Sequence, residues 1–123
     1  MNNDPRVCTI DDDEAIREAL RLLLFSAGIA CHAYPSADQF LVRTDARDFD
    51  CMLLDIRMPG MDGLELFRLL LQEEASYPII FITGHGDIPL AVSAIQQGAF
   101  DFLTKPFKEG ELLDKVRAAI ARF

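Results

Sequence analysis

The sequence predicts a three-layer α/β domain in which five parallel strands are covered on both faces by helices, in (βα)5 order. Three observations predict it. Five short apolar runs alternate with longer segments of helical period along the 123 residues. Three of the runs, Val7-Cys-Thr-Ile10, Cys51-Met-Leu-Leu54 and Ile79-Ile-Phe-Ile82, are apolar or nearly so at every position, as burial on two faces requires. Helix-opening and helix-closing residues fall at the borders between the two kinds of segment.

The first run, Arg6 to Ile10, leads into four acidic residues, Asp11 to Glu14. Asp13 and Glu14 suit the start of a helix, where aligned peptide dipoles favour negative charge. Ile16, Leu20, Leu23, Leu24 and Ala27 then share one helical face, closed by Gly28 in the position of a left-handed cap. The second run is Ile29 to Tyr34, and Ser36 with Gln39 has capping-box spacing. The third is Asp50 to Leu54, after which Asp62 with Glu65 repeats that spacing. The fourth run spans Pro78 to Thr83. In the helix that follows, Pro89 reads as the first helical residue, which makes Ile88 the N-cap. Isoleucine caps poorly, so this helix start reads as a mobile element. Gly98 closes that helix, Phe100 to Thr104 is the fifth run, and Leu112, Leu113, Val116, Ala119, Ile120 and Phe123 line the last helix. Right-handed crossovers follow from the alternation; periodicity leaves strand order open. Residues 1–123 read as one domain without linker or repeat.

Composition narrows the partners. Twenty acidic residues against 12 basic ones leave a net charge of −8. Nucleic-acid affinity rests on Lys and Arg displacing counterions, so neither nucleic acid nor an anionic membrane is expected to bind this domain directly. Cys8, Cys31 and Cys51 are odd in number and widely spaced, which reads as three core thiols in a reducing compartment rather than a disulfide framework or zinc site. There is no signal-peptide pattern and no apolar run of spanning length, and the expected location is cytoplasmic.

Ligands of open α/β sheets bind beyond the carboxyl ends of the strands. At those ends stand Asp11 and Asp12, Asp55, Thr83, and Lys105-Pro106. If the first and third strands are neighbours, three carboxylates converge, and two charges ~4 Å apart oppose each other by about 4 kcal/mol at an effective dielectric of 20. A divalent cation relieves this. Few carboxylates with room for water suit Mg²⁺ better than Ca²⁺.

The motifs Ile10-Asp-Asp-Asp13, Leu53-Leu-Asp-Ile-Arg-Met-Pro-Gly-Met-Asp-Gly63, Ile80-Phe-Ile-Thr-Gly-His-Gly-Asp87 and Asp101-Phe-Leu-Thr-Lys-Pro-Phe107, in this order, resemble the receiver domain of two-component response regulators. Thr83-Gly-His-Gly-Asp87 resembles the FixJ-like branch. The resemblance covers nearly the whole chain and implies a doubly wound fold of strand order 2-1-3-4-5. It also implies that Asp55 takes a phosphoryl group from a sensor histidine kinase. Asp12, Asp55 and the Arg57 backbone carbonyl would hold Mg²⁺ directly and Asp11 through water, while Thr83 and Lys105 would contact the phosphoryl oxygens. Pro106 would follow a cis bond. Thr83 and Phe102 would be the switch pair, changing a face of the fourth helix and fifth strand that includes Ile88, Val92, Ile95, Gln96 and Phe100 and forms a phosphorylation-dependent homodimer. Arg57 and His85 occupy positions that vary in the family and influence hydrolysis of the phosphoryl group. The implied activity is signalling, with chemistry confined to the domain's own phosphoryl group. FixJ-like receivers usually precede a DNA-binding domain used in transcription; none follows in these 123 residues, so either a stand-alone receiver or a separated one is expected.

Four other readings compete less well. A haloacid-dehalogenase-like phosphohydrolase also uses a strand-end Asp, but wants a second Asp two residues on, where Arg57 stands. A flavodoxin-like module would place a Ser/Thr/Gly phosphate loop where Asp11 to Glu14 lie. A pseudo-receiver that only docks partners would not need Asp12, Asp55, Thr83 and Lys105 together. A serine hydrolase lacks its nucleophile motif.

Overall fold

A computed structural model describes residues 4–43 and 48–122; Phe123, assigned above to the last helical face, lies outside them. The elements run β1 (Arg6–Ile10), α1 (Glu14–Ser26), β2 (Ala30–Tyr34), α2 (Ala37–Leu41), β3 (Cys51–Asp55), α3 (Gly63–Gln72), β4 (Ile79–Thr83), a single 3-10 turn (His85–Asp87), α4 (Ile88–Gln96), β5 (Asp101–Thr104) and α5 (Glu109–Ile120). All strand pairs are parallel, in the order β2-β1-β3-β4-β5. This is the doubly wound order implied above.

Every side chain of β3 and β4 is buried, and alternate residues serve opposite layers. Cys8, Ile10, Met52, Leu54, Ile79 and Phe81 pack with Phe40, Leu66, Phe67, Leu70, Ala91 and Ala94, under α2, α3 and α4. Val7, Cys51, Leu53, Ile80 and Ile82 pack with Leu20, Leu24, Leu112, Val116 and Ala119, under α1 and α5. The period of two along each strand thus builds two cores on one sheet. The thiols are free, Cys8 and Cys51 fully buried. Burial pushes the thiol pKa of Cys51 up to about 12 and of Cys31 to about 11, so they behave as small core residues.

The capping expectations hold unevenly. Asp13 accepts from the Ala15 and Ile16 N–H groups. Asp62 and Glu65 form a complete box, at 2.8 and 3.0 Å, while Ser36 accepts from the Gln39 N–H. Asp62→Ala is expected to lose about 1 kcal/mol of stability, read as a lower denaturant midpoint at unchanged slope. Gly28 (φ +77°) and Gly98 (φ +125°) adopt the left-handed conformations expected of them. The start of α4 differs from expectation. Ile88 is its first residue and Asp87 its N-cap, with Pro89 inside the first turn and no side-chain cap bond, because the 3-10 turn His85–Asp87 begins the coiling three residues earlier.

β5 is an edge strand, and the outward backbone groups of its Phe102 are occupied. Asp101 Oδ1 accepts from the Phe102 N–H at 2.7 Å, and Lys115 Nζ, from α5, donates to the Phe102 carbonyl at 2.7 Å. At Phe102 the edge therefore offers no free donor or acceptor for strand addition.

Candidate functional site

Strand pairing brings the carboxylates together. β1 lies beside β3 with Ile10 opposite Leu54, so Asp11, one residue past β1, stands beside Asp55, the last residue of β3. Ligand oxygens of Asp11, Asp12 and Asp55 all lie within 4.8 Å of one another. Asp11 and Asp55 are buried, at 2% and 6% exposure, whereas Asp12 faces solvent.

The surroundings fix each group. Asp11 Oδ1 accepts from the Asp13 N–H at 2.9 Å, and the Asp11 carbonyl accepts from the Arg17 guanidinium at 2.9 Å. Asp55 Oδ1 accepts from the Arg57 N–H at 3.3 Å. Lys105 enters from the far side: the Lys105–Pro106 bond is cis, as implied above, and the Lys105 N–H donates to the Thr83 carbonyl. Its ammonium lies 3.0 Å from Asp11 Oδ2 and 3.5 Å from Asp55 Oδ2. Burial alone would lower the Lys105 pKa, but the close contact with Asp11 and the charges of both aspartates hold it above the usual range. Thr83 is fully buried, its hydroxyl donating to the Gly84 carbonyl at 3.2 Å.

Asp55 is pushed up to about 6, first by burial and then by the Asp11 charge, against the pull of Lys105. It is therefore mostly ionised at neutral pH but held in a disfavoured state. Asp11 Oδ2 is buried without a well-aligned hydrogen bond; the ammonium beside it is an ion-pair contact. An under-satisfied buried oxygen among three carboxylates, one of them open to water, fits a hydrated hard cation such as Mg²⁺.

Residues 7–117 match the sequence profile described as the response regulator receiver domain. This chain belongs to that family. The receiver is 50% identical over 111 residues to the response regulator protein TodT of Pseudomonas putida, an overlap of 90% of this chain and 49% of TodT. It is 42% identical over 120 residues to the transcriptional regulatory protein FixJ of Bradyrhizobium diazoefficiens, covering 98% of this chain and 58% of FixJ. Among solved structures, full-length FixJ from B. japonicum superposes with a TM-score of 0.90 at 41% identity, covering 97% of this chain and 59% of that one. FixJ-N superposes with a TM-score of 0.86 at 37% identity, over 99% and 98% of the two chains. The chain spans about half the length of the curated relatives it matches.

The residues expected at the switch and on the α4–β5 face of this receiver do not all share one side of the sheet. Phe102 is half-buried against the core beneath α3 and α4, and its ring lies 5.7 Å from the Lys115 ammonium. Val92 and Gln96 on α4 are exposed, Ile88 and Ile95 half-buried. Phe100 does not join them: it packs with the layer under α1 and α5, opposite Phe102, although a period of two would put both on one face, because β5 begins only at Asp101 and Phe100 precedes it. Leu90 is exposed, like Val92, but lies on another side of α4, in a groove with Leu64, Phe67 and Arg68. His85 is exposed.

Gly63 is a further residue on which the site depends. A Cβ there would lie 2.1 Å from the Asp55 carbonyl oxygen, and the Gly63 N–H donates to the Ile56 carbonyl at 3.0 Å. Its signal in the sequence was the Asp-Gly pair opening a helix just past the strand-end Asp, but only packing reveals the close approach.

Proposed function

We propose that this receiver takes a phosphoryl group from a sensor histidine kinase onto Asp55 and relays it as a change of the α4–β5 face. The reading is carried by one observation: Asp11, Asp12, Asp55, Thr83 and Lys105 meet at the carboxyl end of the sheet, on four different strand ends. An Asp55 carboxylate oxygen attacks phosphorus, the phosphorus–nitrogen bond of the kinase phosphohistidine breaks, and the imidazole keeps the bonding pair and takes up a proton. The transition state is loose, with charge on the peripheral oxygens. Alignment and cation supply are the protein's main tasks. Asp11, Asp12, Asp55 and the Arg57 carbonyl would hold Mg²⁺, which when bound offsets charge on the carboxylates and the phosphoryl oxygens. Lys105 would exchange its aspartate partners for a phosphoryl oxygen. Thr83 would turn its hydroxyl from the Gly84 carbonyl to another, and Phe102 would fill the space this vacates.

The α4–β5 face, with Val92 exposed, would then pair two phosphorylated copies about a two-fold axis. In a longer protein like those it resembles, that dimer would align an output domain for transcription. The acidic receiver itself would not contact DNA, and it would act in the cytoplasm as a signalling module rather than on external substrates.

Incubation with Mg²⁺ and acetyl phosphate, read by intact mass, is expected to add about 80 Da to the wild type and nothing to Asp55→Ala. No adduct on the wild type, or an equal adduct on the variant, would refute the assignment. Lys105→Ala is expected to bind Mg²⁺ at least as tightly as the wild type, because a competing ammonium is gone, yet to remain monomeric after phosphodonor treatment. Calorimetry and sedimentation read the two halves separately.

A further inference from the structure

Asp87 stands where a helix cap belongs and caps nothing. The N-caps Asp13, Ser36 and Asp62 of α1, α2 and α3 all have extended backbones, with ψ of 113°, 160° and 175°, and each side chain accepts a first-turn N–H. Asp87, chemically as good a cap, has φ −106° and ψ 8° and makes no cap bond. Both its carboxylate oxygens are engaged elsewhere: Arg57 Nε donates to Oδ2 at 3.0 Å and Arg57 Nη2 to Oδ1 at 2.8 Å. Arg57 follows Asp55 by two residues and its backbone N–H bonds the Asp55 carboxylate. One ion pair therefore ties the loop of the phosphoacceptor to the start of α4.

We propose that Asp87 is a positioning residue with two alternative partners: Arg57 while Asp55 is unmodified, and the first turn of α4 once Asp55 carries a phosphoryl group. The proposal rests on the assignment of Asp55 made above. The pair is open to exchange, since the Arg57 side chain is 73% exposed and exposed pairs contribute no more than a helix cap does. A phosphoryl group adds close to two negative charges and three acceptor oxygens near Arg57, an anion matched to its fork of donors. Once released, the Asp87 carboxylate is left at the positive end of the α4 dipole. Pro89, the second helical residue, has no N–H, so the group within reach of the cap is the Leu90 N–H. Reaching it requires ψ of Asp87 to rotate to the extended region. That rotation moves the 3-10 turn His85–Asp87 and the exposed Leu90 and Val92 behind it, so the phosphoryl state is transmitted to the α4 surface through the backbone.

The test is amide hydrogen exchange at Leu90, followed by NMR, in the unphosphorylated chain. Arg57→Ala frees Asp87 without any phosphoryl group, and exchange at Leu90 is expected to slow about three- to tenfold. The slowing should vanish in Arg57→Ala/Asp87→Ala. It should appear without phosphorylation in Asp87→Ser, where serine can cap but cannot pair with Arg57. Phosphorylated wild type should match Arg57→Ala. Leu90 exchange in Arg57→Ala that is unchanged or faster overturns the proposal, as does slowing that persists in the double variant. Absence of an adduct on Asp55, read by mass alone, would instead refute the phosphoacceptor assignment and with it the trigger, while the exchange of partners stands or falls on the Arg57→Ala arm.

Discussion

An Asp55→Asn protein is expected to gain stability in the same preparation in which it loses its phosphoryl adduct. The carboxyl of Asp55 is held at about 6 by burial and by Asp11, against an ordinary value of 3.8. A carboxyl whose folded value is raised stabilises the fold fully only below its unfolded value, and that stabilisation is lost as pH rises through about 6. Above pH 7 the metal-free wild type therefore carries an ionised group that disfavours folding by an amount on the order of 2 kcal/mol. Asparagine removes that charge at similar shape. Metal-free Asp55→Asn should melt roughly 5 to 10 °C above the wild type at pH 8, and the gap should close by pH 4. Mg²⁺ should narrow the gap at pH 8 by raising the wild type, since a ligand of the folded state stabilises it. Equal melting temperatures at pH 8 without metal would show that Asp55 is not held in a disfavoured state.

Gly63→Ala is expected to damage both the fold and the site. Its Cβ would fall 2.1 Å from the Asp55 carbonyl oxygen, 2.9 Å from the Asp55 carbonyl carbon and 3.0 Å from the Ile56 Cα, all backbone atoms that cannot swing aside. The constraint is space, since Gly63 is not among the residues with positive φ. Relief requires α3 to move off the end of β3, which strains the Gly63–Ile56 hydrogen bond and the complete cap of α3 and displaces the backbone that carries Asp55. Such overpacking disfavours folding by about 3 kcal/mol or more. Gly110→Ala is the control: nothing lies within 4 Å of a Cβ there, and in α5 it should stabilise by ~0.5 kcal/mol. Urea midpoints compare the two, and the phosphorylated fraction read by intact mass should fall only in Gly63→Ala. Wild-type stability and phosphoryl uptake in Gly63→Ala would mean that the close approach of α3 to Asp55 is not needed.

Much of the site could be read before the fold was known, because strand ends and polar residues coincide. Asp11, Asp55 and Thr83 each follow an apolar run, and in a parallel sheet all such ends lie on one edge. Local rules served well where the interaction is local, as with the Asp62–Glu65 box and the left-handed Gly28 and Gly98. They failed at the start of α4, where the expected N-cap Ile88 is the first helical residue and the actual N-cap, Asp87, has its side chain held by Arg57, 30 positions away in sequence. They failed again at Phe100, whose layer depends on where β5 begins, and at Gly63, whose requirement arises from a neighbouring backbone.

An α/β receiver with acidic strand ends is legible from consecutive residues alone. Period and punctuation are properties of consecutive residues, and the four motifs keep their order along the chain. Packing places β1 against β3, which turns separate aspartates into one electrostatically coupled cluster with Lys105. It likewise decides that Arg57 reaches Asp87, because charge pairing across two loops depends on the sheet order that brings those loops together, and no spacing along the chain encodes that distance.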